Sequence, residues 1–319
     1  MMQAALAPAS SSAEDESLLE SVDARTRLAG SNKMEILLFT LGTREVFGIN
    51  VFKVREVTHT PRITRTPNMP AGVEGVISLR GSIIPVVDLA HFVGRNTVRG
   101  NGSTMMVTEY SRRTQGFLVE AVDRIVRVDW EKVRSPDSVV SGHDALITAI
   151  TELPDRTLVS VLDVEQVLVN AFGEPRIPEL EPAEGRDGVV FFADDSMVAR
   201  KEIGHVLDKL GVKYHQATNG AEAWVRLQAM AQRAAQDGVP LHEQLDVILL
   251  DAEMPEMDGY VLTRHLRSDH RFAGVPVVMH SSLSSEANRA MGSHVGVDAY
   301  VAKFDAAVLA DTLRPLLAR

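Results

Sequence analysis

The stretch from Val247 to Tyr260, VILLDAEMPEMDGY, leaves this chain few folds to choose from. An apolar run ends in a single carboxylate, Asp251, and gives way at once to a turn rich in Pro, Asp and Gly. Such a run reads as a strand buried on both faces, as in a parallel sheet covered by helices. Its acid then lies at the carboxyl edge, where open α/β sheets bind their ligands. GVVFFADDS repeats the design, with an apolar run emptying into Asp194 and Asp195. Side by side, the two strands would bring these carboxylates to one rim. They cannot all stay ionised there without a counter-charge. Mg²⁺ suits the position, because it takes a few carboxylates and keeps places for water and phosphate oxygens. PVVMHSS then ends in the Ser281 hydroxyl, and DAYVAK in the Lys303 ammonium. Carboxylate, metal, hydroxyl and ammonium are the parts of a phosphoryl-transfer site.

Set in this order on apolar runs separated by helical patterns, these residues resemble a two-component receiver domain over 188–319. The resemblance implies a flavodoxin-like (CheY-like) α/β fold with a five-stranded parallel sheet. It implies Asp251 as phosphoacceptor and Asp195 as a direct Mg²⁺ ligand. Asp194 would act largely through water, and the backbone carbonyl of Glu253 would complete the protein's share of the metal shell. Ser281 and Lys303 would bind phosphoryl oxygens, and Tyr300 would be a rotameric switch. The chain departs from the family at Phe304, where receivers usually carry a proline in a cis peptide. A cis bond before a non-proline costs ~3 kcal/mol, so a trans bond is expected, and the sequence leaves the aim of Lys303 open. A haloacid-dehalogenase-type phosphatase would place a second Asp where this chain has Glu253. The expectation is therefore no enzyme beyond its own phosphotransfer and autodephosphorylation.

At 319 residues the chain exceeds the usual single-domain size, so two full cores are expected. With no cysteine, disulfides and thiolate metal sites are excluded. No apolar stretch approaches the ~20 residues that span a bilayer. The Ala/Ser-rich start lacks the basic region of a secretory signal. A cytoplasmic protein without direct membrane insertion is expected. Residues 1–30 read as a disordered tail and a short amphipathic helix. Basic and acidic residues balance at 16 each in 31–172, and acidic residues lead by 18 to 13 in 187–319. Neither half has the basic excess of a nucleic-acid binder.

Residues 31–172 read as all-β, with short β-branched runs such as ILLFTL, GVISL, SIIPVVDL and TLVSVLDV broken by turns. Arg80-Gly81 marks a two-residue hairpin, and Pro85 in the return strand points to an edge or a bulge. His59, His91 and His143 lack metal-ligand spacing, so a surface or core role is expected for each. A β unit without a catalytic constellation reads as an interaction module. F-x-L-G from Phe39, F-G-I-N from Phe47, G-V-I-S-L-R-G from Gly75 and I-I-P-V-V-D-L from Ile83 resemble the CheW family of chemotaxis coupling proteins. That resemblance implies two small SH3-like barrels, which couple a histidine kinase of the CheA type to methyl-accepting chemoreceptors, and recruitment to receptor arrays. Arg80, at a hairpin tip, is the candidate partner-binding residue. A coupling domain followed by a receiver is the layout of CheV-type proteins.

The segment 173–187, rich in Pro and Glu, reads as a semi-extended, solvated linker. It would let the receiver dock on the coupling domain through its fourth-helix and fifth-strand face in one state only. The implied function is a chemotaxis adaptor tuned by phosphorylation. The alternative is a phosphate sink that drains phosphoryl groups from the kinase.

Overall fold

In a computed structural model of the chain, residues 33–94, 104–110, 113–135, 146–174, 177–183, 188–281, 292–303 and 305–318 are described. The expected N-terminal helix, His143 and Phe304 lie outside them.

Ten strands fill the first half: β1 Lys33–Thr40, β2 Val46–Asn50, β3 Val54–His59, β4 Val73–Leu79, β5 Ser82–Asp88, β6 Thr104–Tyr110, β7 Arg113–Val119, β8 Ala121–Asp129, β9 Ile147–Glu152 and β10 Leu158–Leu162. They form two five-stranded sheets, ordered β8-β1-β2-β10-β9 and β3-β6-β7-β5-β4. The pairing explains how two small barrels become one domain. Along β1, Ile36 and Leu38 enter a core with Trp130 and Val159, while Leu37 and Phe39 on the opposite face enter a second core with Ile49, Phe117 and Leu162. Alternation with a period of two thus lets one strand serve both the interior of its own sheet and the core shared between the two sheets. The second sheet keeps a core of its own around Ile77, Ile84, Val86 and Met105.

The Arg80-Gly81 turn joins β4 to β5 with positive φ at both residues, +48° and +85°, as the twist of a two-residue hairpin requires. Pairing of β5 with β7 starts only at Val86, so Pro85 lies just beyond that ladder, where its missing N–H costs nothing. His59 and His91 are exposed.

Three elements escape the strand pattern of the sequence. VREVTH forms β3, its charged residues hiding the alternation. Helix α2, Val164–Phe172, follows β10 and a four-residue helix α1, Leu89–Phe92, lies after β5. Rich in β-branched residues, α2 lies in a half read as all-β, and the last strand run expected there stops at its first residue, Val164. It is capped by Asp163, whose Oδ1 accepts from the amides of Glu165 and Gln166 at 3.0 Å each.

The second half is a parallel sheet in the order β12-β11-β13-β14-β15, comprising β11 Val189–Ala193, β12 Lys213–Ala217, β13 Val247–Leu250, β14 Val277–Ser281 and β15 Ala299–Ala302. Helices α3 Met197–Leu210, α4 Gly220–Asp237, α5 Gly259–Ser268 and α6 Ala306–Leu317 accompany it. Val190, Phe192 and Leu249 face one core and Phe191, Ile248 and Leu250 the other, as strands buried on both faces must. The long segment before β13 extends α4, burying Ala231 and Ala234. Among the described residues, no helix is long and apolar enough to cross a membrane.

The linker differs from the solvated spacer expected. Ile177, Leu180 and Ala183 recur every third residue and pack on the core that α3 and α6 share. Ala183 donates its amide to the Leu210 carbonyl at 3.0 Å, and Arg314 donates to the Glu181 carbonyl at 3.0 Å. Strapped in this way, the segment moves with the receiver.

Candidate functional site: an acid pocket closed by the β domain

Each expected receiver residue follows the end of a strand of the parallel sheet or closes one. Asp194 and Asp195 follow β11, Asp251 follows β13, Ser281 closes β14, and Lys303 follows β15. The backbone holds this rim in register, with the Asp251 amide on the Ala193 carbonyl at 2.9 Å and the Lys303 amide on the Ser281 carbonyl at 2.9 Å. Gly259 ends the D-x-x-M-P-x-M-D-G run because a Cβ there would lie 2.1 Å from the Asp251 carbonyl oxygen. Ser196 caps α3, and Arg200 donates to the carbonyls of Asp194 and Asp195 at 2.8 and 2.9 Å, which fixes the acid loop.

Carboxylate oxygens of Asp194, Asp195 and Asp251 all lie within 4.8 Å of one another. Lys303 Nζ reaches Asp194 Oδ2 and Asp251 Oδ2 at 2.8 Å each. The Lys303 ammonium and both of these carboxylates are buried. Burial raises the Asp194 carboxyl to about 6 against the pull of Lys303, and it holds Asp251 well above the usual carboxylate range. Burial also disfavours the Lys303 charge, but Asp194 and Asp251 overcome it and hold that ammonium above its ordinary value. One ammonium among three acids leaves this pocket short of positive charge, and the donor set of hard oxygens suits a divalent cation.

The Tyr300 hydroxyl meets that of Ser281. The aromatic side chain expected to swing inward therefore already points at Ser281. Arg80 meets a carboxylate, but one of its own domain: Nη2 lies 2.6 Å from Glu56 Oε2, with the Arg80 side chain 75% exposed.

The acid pocket does not face open solvent alone. Asn50, Lys53 and Leu162 from the β domain line one cleft with Asp195, Asp251, Glu253 and Lys303. Asn50 closes β2, lines the cleft beside Glu253, and caps the 3-10 turn Val51–Lys53 by accepting from the Phe52 amide at 3.1 Å. Phe52 packs against the receiver core. Lys53 Nζ pairs with Glu165 at 3.1 Å, and burial of that ammonium is overcome by Glu165 and then Asp195, which raise its pKa. Ser196 Oγ donates to Asp163 Oδ2 at 3.4 Å, joining the N-caps of α3 and α2. Burial, with Glu165 adding to it, raises Asp163 to about 7, and burial raises Glu253 to about 7. Sequence reasoning missed Asn50, Lys53, Asp163 and Glu165. One signal was available, since Asp163 followed three residues later by Gln166 is a helix-start pattern. Among the described residues, the contact between the halves runs through the acid rim; the face expected to dock includes residues 282–291, which lie outside the described residues.

A β unit of two fused barrels closing the acid rim of a parallel-sheet receiver defines a two-domain signalling protein. Residues 35–172 match the CheW-like domain family, and residues 190–314 match the response regulator receiver domain family. The chemotaxis protein CheV3 of Helicobacter pylori is 31% identical over 278 residues, covering 85% of this chain and 88% of its own. CheV2 of the same organism is 25% identical over 94% of this chain and 100% of its own length. The chemotaxis protein CheW of Klebsiella aerogenes is 32% identical over 45% of this chain and 87% of its own. The chain belongs to the CheV family of chemotaxis proteins.

Proposed function

We propose that this protein is a chemotaxis adaptor. Its β domain bridges methyl-accepting chemoreceptors and a CheA-type histidine kinase, and its receiver tunes that bridge through Mg²⁺-dependent phosphorylation of Asp251. The observation that carries the reading is the convergence of Asp194, Asp195 and Asp251 within 4.8 Å, with Lys303 at 2.8 Å from two of them. Asp194, Asp195, Asp251 and the Glu253 carbonyl would hold Mg²⁺. Bound there, the ion supplies the positive charge that the phosphoryl oxygens and the acid cluster lack.

The chain's own residues supply the rest. A carboxylate oxygen of Asp251 attacks the phosphorus of a phosphohistidine or small phosphodonor, the bond to the donor atom breaks, and the leaving group departs with its electron pair. Lys303 is placed to pair with a phosphoryl oxygen as well as with Asp251, and the Ser281 hydroxyl closes β14 beside it. Such catalysis consists of positioning and charge neutralisation. The receiver turns over only its own aspartyl phosphate, and the protein performs no further reaction. The neutral charge balance of the β domain favours a protein partner over nucleic acid.

A pull-down with chemoreceptor cytoplasmic fragments and kinase, with and without beryllofluoride and Mg²⁺, tests this function. Assembly that depends on residues 33–174 and responds to beryllofluoride is expected, and Asp251→Asn should abolish the response. Phosphotransfer without assembly would replace the adaptor with a phosphate sink.

A further inference from the structure

We propose that Asn50–Lys53 and the first turn of α2 form a plug seated over the phosphoacceptor pocket, so that a phosphodonor reaches Asp251 only when the β domain lifts off. The proposal rests on the phosphoacceptor reading above and adds its regulation. Three observations carry it.

The first is space. The cleft that Asn50, Lys53 and Leu162 close over Asp195, Asp251 and Lys303 is about 10 Å³, room for about one water and none for a phosphoryl group with its three oxygens. The second is charge. Lys53 is committed to Glu165 at 3.1 Å, so the plug brings one ammonium with the carboxylates of Glu165 and Asp163 to a rim that already holds Asp194, Asp195, Asp251 and Glu253. Dianionic phosphate on Asp251 adds negative charge where the seated plug excludes water, and lift-off relieves it. The third is tethering. The strap at 177–183 belongs to the receiver, and α2 ends at Phe172 with Gly173 at φ +85°. Four residues, 173–176, separate Phe172 from Ile177 in the sequence, a reach of roughly 14 Å at about 3.5 Å per residue. A lifted plug stays close, so seating is an intramolecular event at high effective concentration.

Plug and phosphate compete for one place, and linkage makes the competition reciprocal. Phosphorylation frees the Asn50–Lys53 surface of the β domain. A partner that takes that surface speeds phosphorylation.

The test uses the full chain. Lys53→Glu sets a third carboxylate against Asp195 and Glu253, and should open the plug. Labelling of Asp251 by phosphoramidate and Mg²⁺, followed by mass spectrometry, should be about five-fold faster or more in this variant than in the native chain. Independently of any variant, beryllofluoride with Mg²⁺ should speed amide exchange at residues 50–54 and 163–167 of the native chain, and Asp251→Asn should not respond. Equal or slower labelling in folded Lys53→Glu, or unchanged exchange at both segments, overturns the plug and leaves the phosphoacceptor standing. Absence of labelling in native chain and variant alike overturns both.

Discussion

The two halves of this protein handle charge in opposite ways. In the β domain, ionised side chains are mostly paired at the surface, as in Arg55 with Glu109 at 3.0 Å and Arg80 with Glu56 at 2.6 Å. Exposed pairs of this kind contribute roughly 0–1 kcal/mol and say little about function. The receiver instead buries Asp194, Asp251 and Lys303 together, at a cost that no fold requires. Where an unfavourable charge cluster is kept, chemistry accounts for it; where charges are balanced and exposed, function resides in shape and surface. The second kind of site gives no local sign in its own half, and here it shows itself only where it touches the first. Lys53 and Glu165, the buried ion pair of the β domain, sit at that contact.

The sharpest break in this comparison is Asp251→Asn. Labelling by kinase or phosphoramidate should fall to background, and retained labelling at another residue would remove the receiver's claim to a single acceptor. Asp195→Ala should follow, with Mg²⁺ affinity reduced at least about ten-fold in titration calorimetry while the fold persists. On the β side the large effect is on stability: Phe39→Ala opens a cavity in the core shared by both sheets, and denaturant unfolding should register a loss of about 3–5 kcal/mol.

A smaller effect concerns pH. The folded receiver holds protons on Asp194, at about 6, and on Asp251 that the unfolded chain has released near the usual 3.8. Their contribution to stability is therefore fully present below pH ~4 and lost as pH rises through about 6. Without Mg²⁺, melting temperatures should show a loss as pH rises from ~4 through about 6 that is reduced in Asp251→Asn. An identical profile in the variant would mean that the cluster carries no net strain. The smallest effect expected is that of Arg80→Ala, within about 0.5 kcal/mol in stability, because Nη2 meets Glu56 at an exposed position. If assembly with receptor or kinase also stays intact, the hairpin tip is no partner surface.

What the sequence made legible follows the same division. Asp194, Asp251 and Lys303 could be placed because each stands where an apolar run stops, so strand pattern and chemistry mark the same residue. Helix α2 could not, since Val164, Val167 and Val169 satisfy a strand as readily as a helix and only the Asp163 cap distinguishes them. In the linker, Ile177, Leu180 and Ala183 recur at the spacing of an extended threefold helix, so one face was available to pack although the composition suggested a solvated spacer. The contact of Lys53 and Asn50 with the acid rim joins residues some 200 positions apart in the chain, and no local pattern encodes it.

Strand β1 has a mechanical consequence. Ile36 and Leu38 are anchored in the interior of the first sheet, and Leu37 and Phe39 in the core between the two sheets, so one eight-residue ribbon is gripped on both faces. Drawing that ribbon out disrupts both cores at once. Pulled between its first strand and α2, the β domain should rupture in a single step, because α2 packs in the same shared core as Leu37 and Phe39.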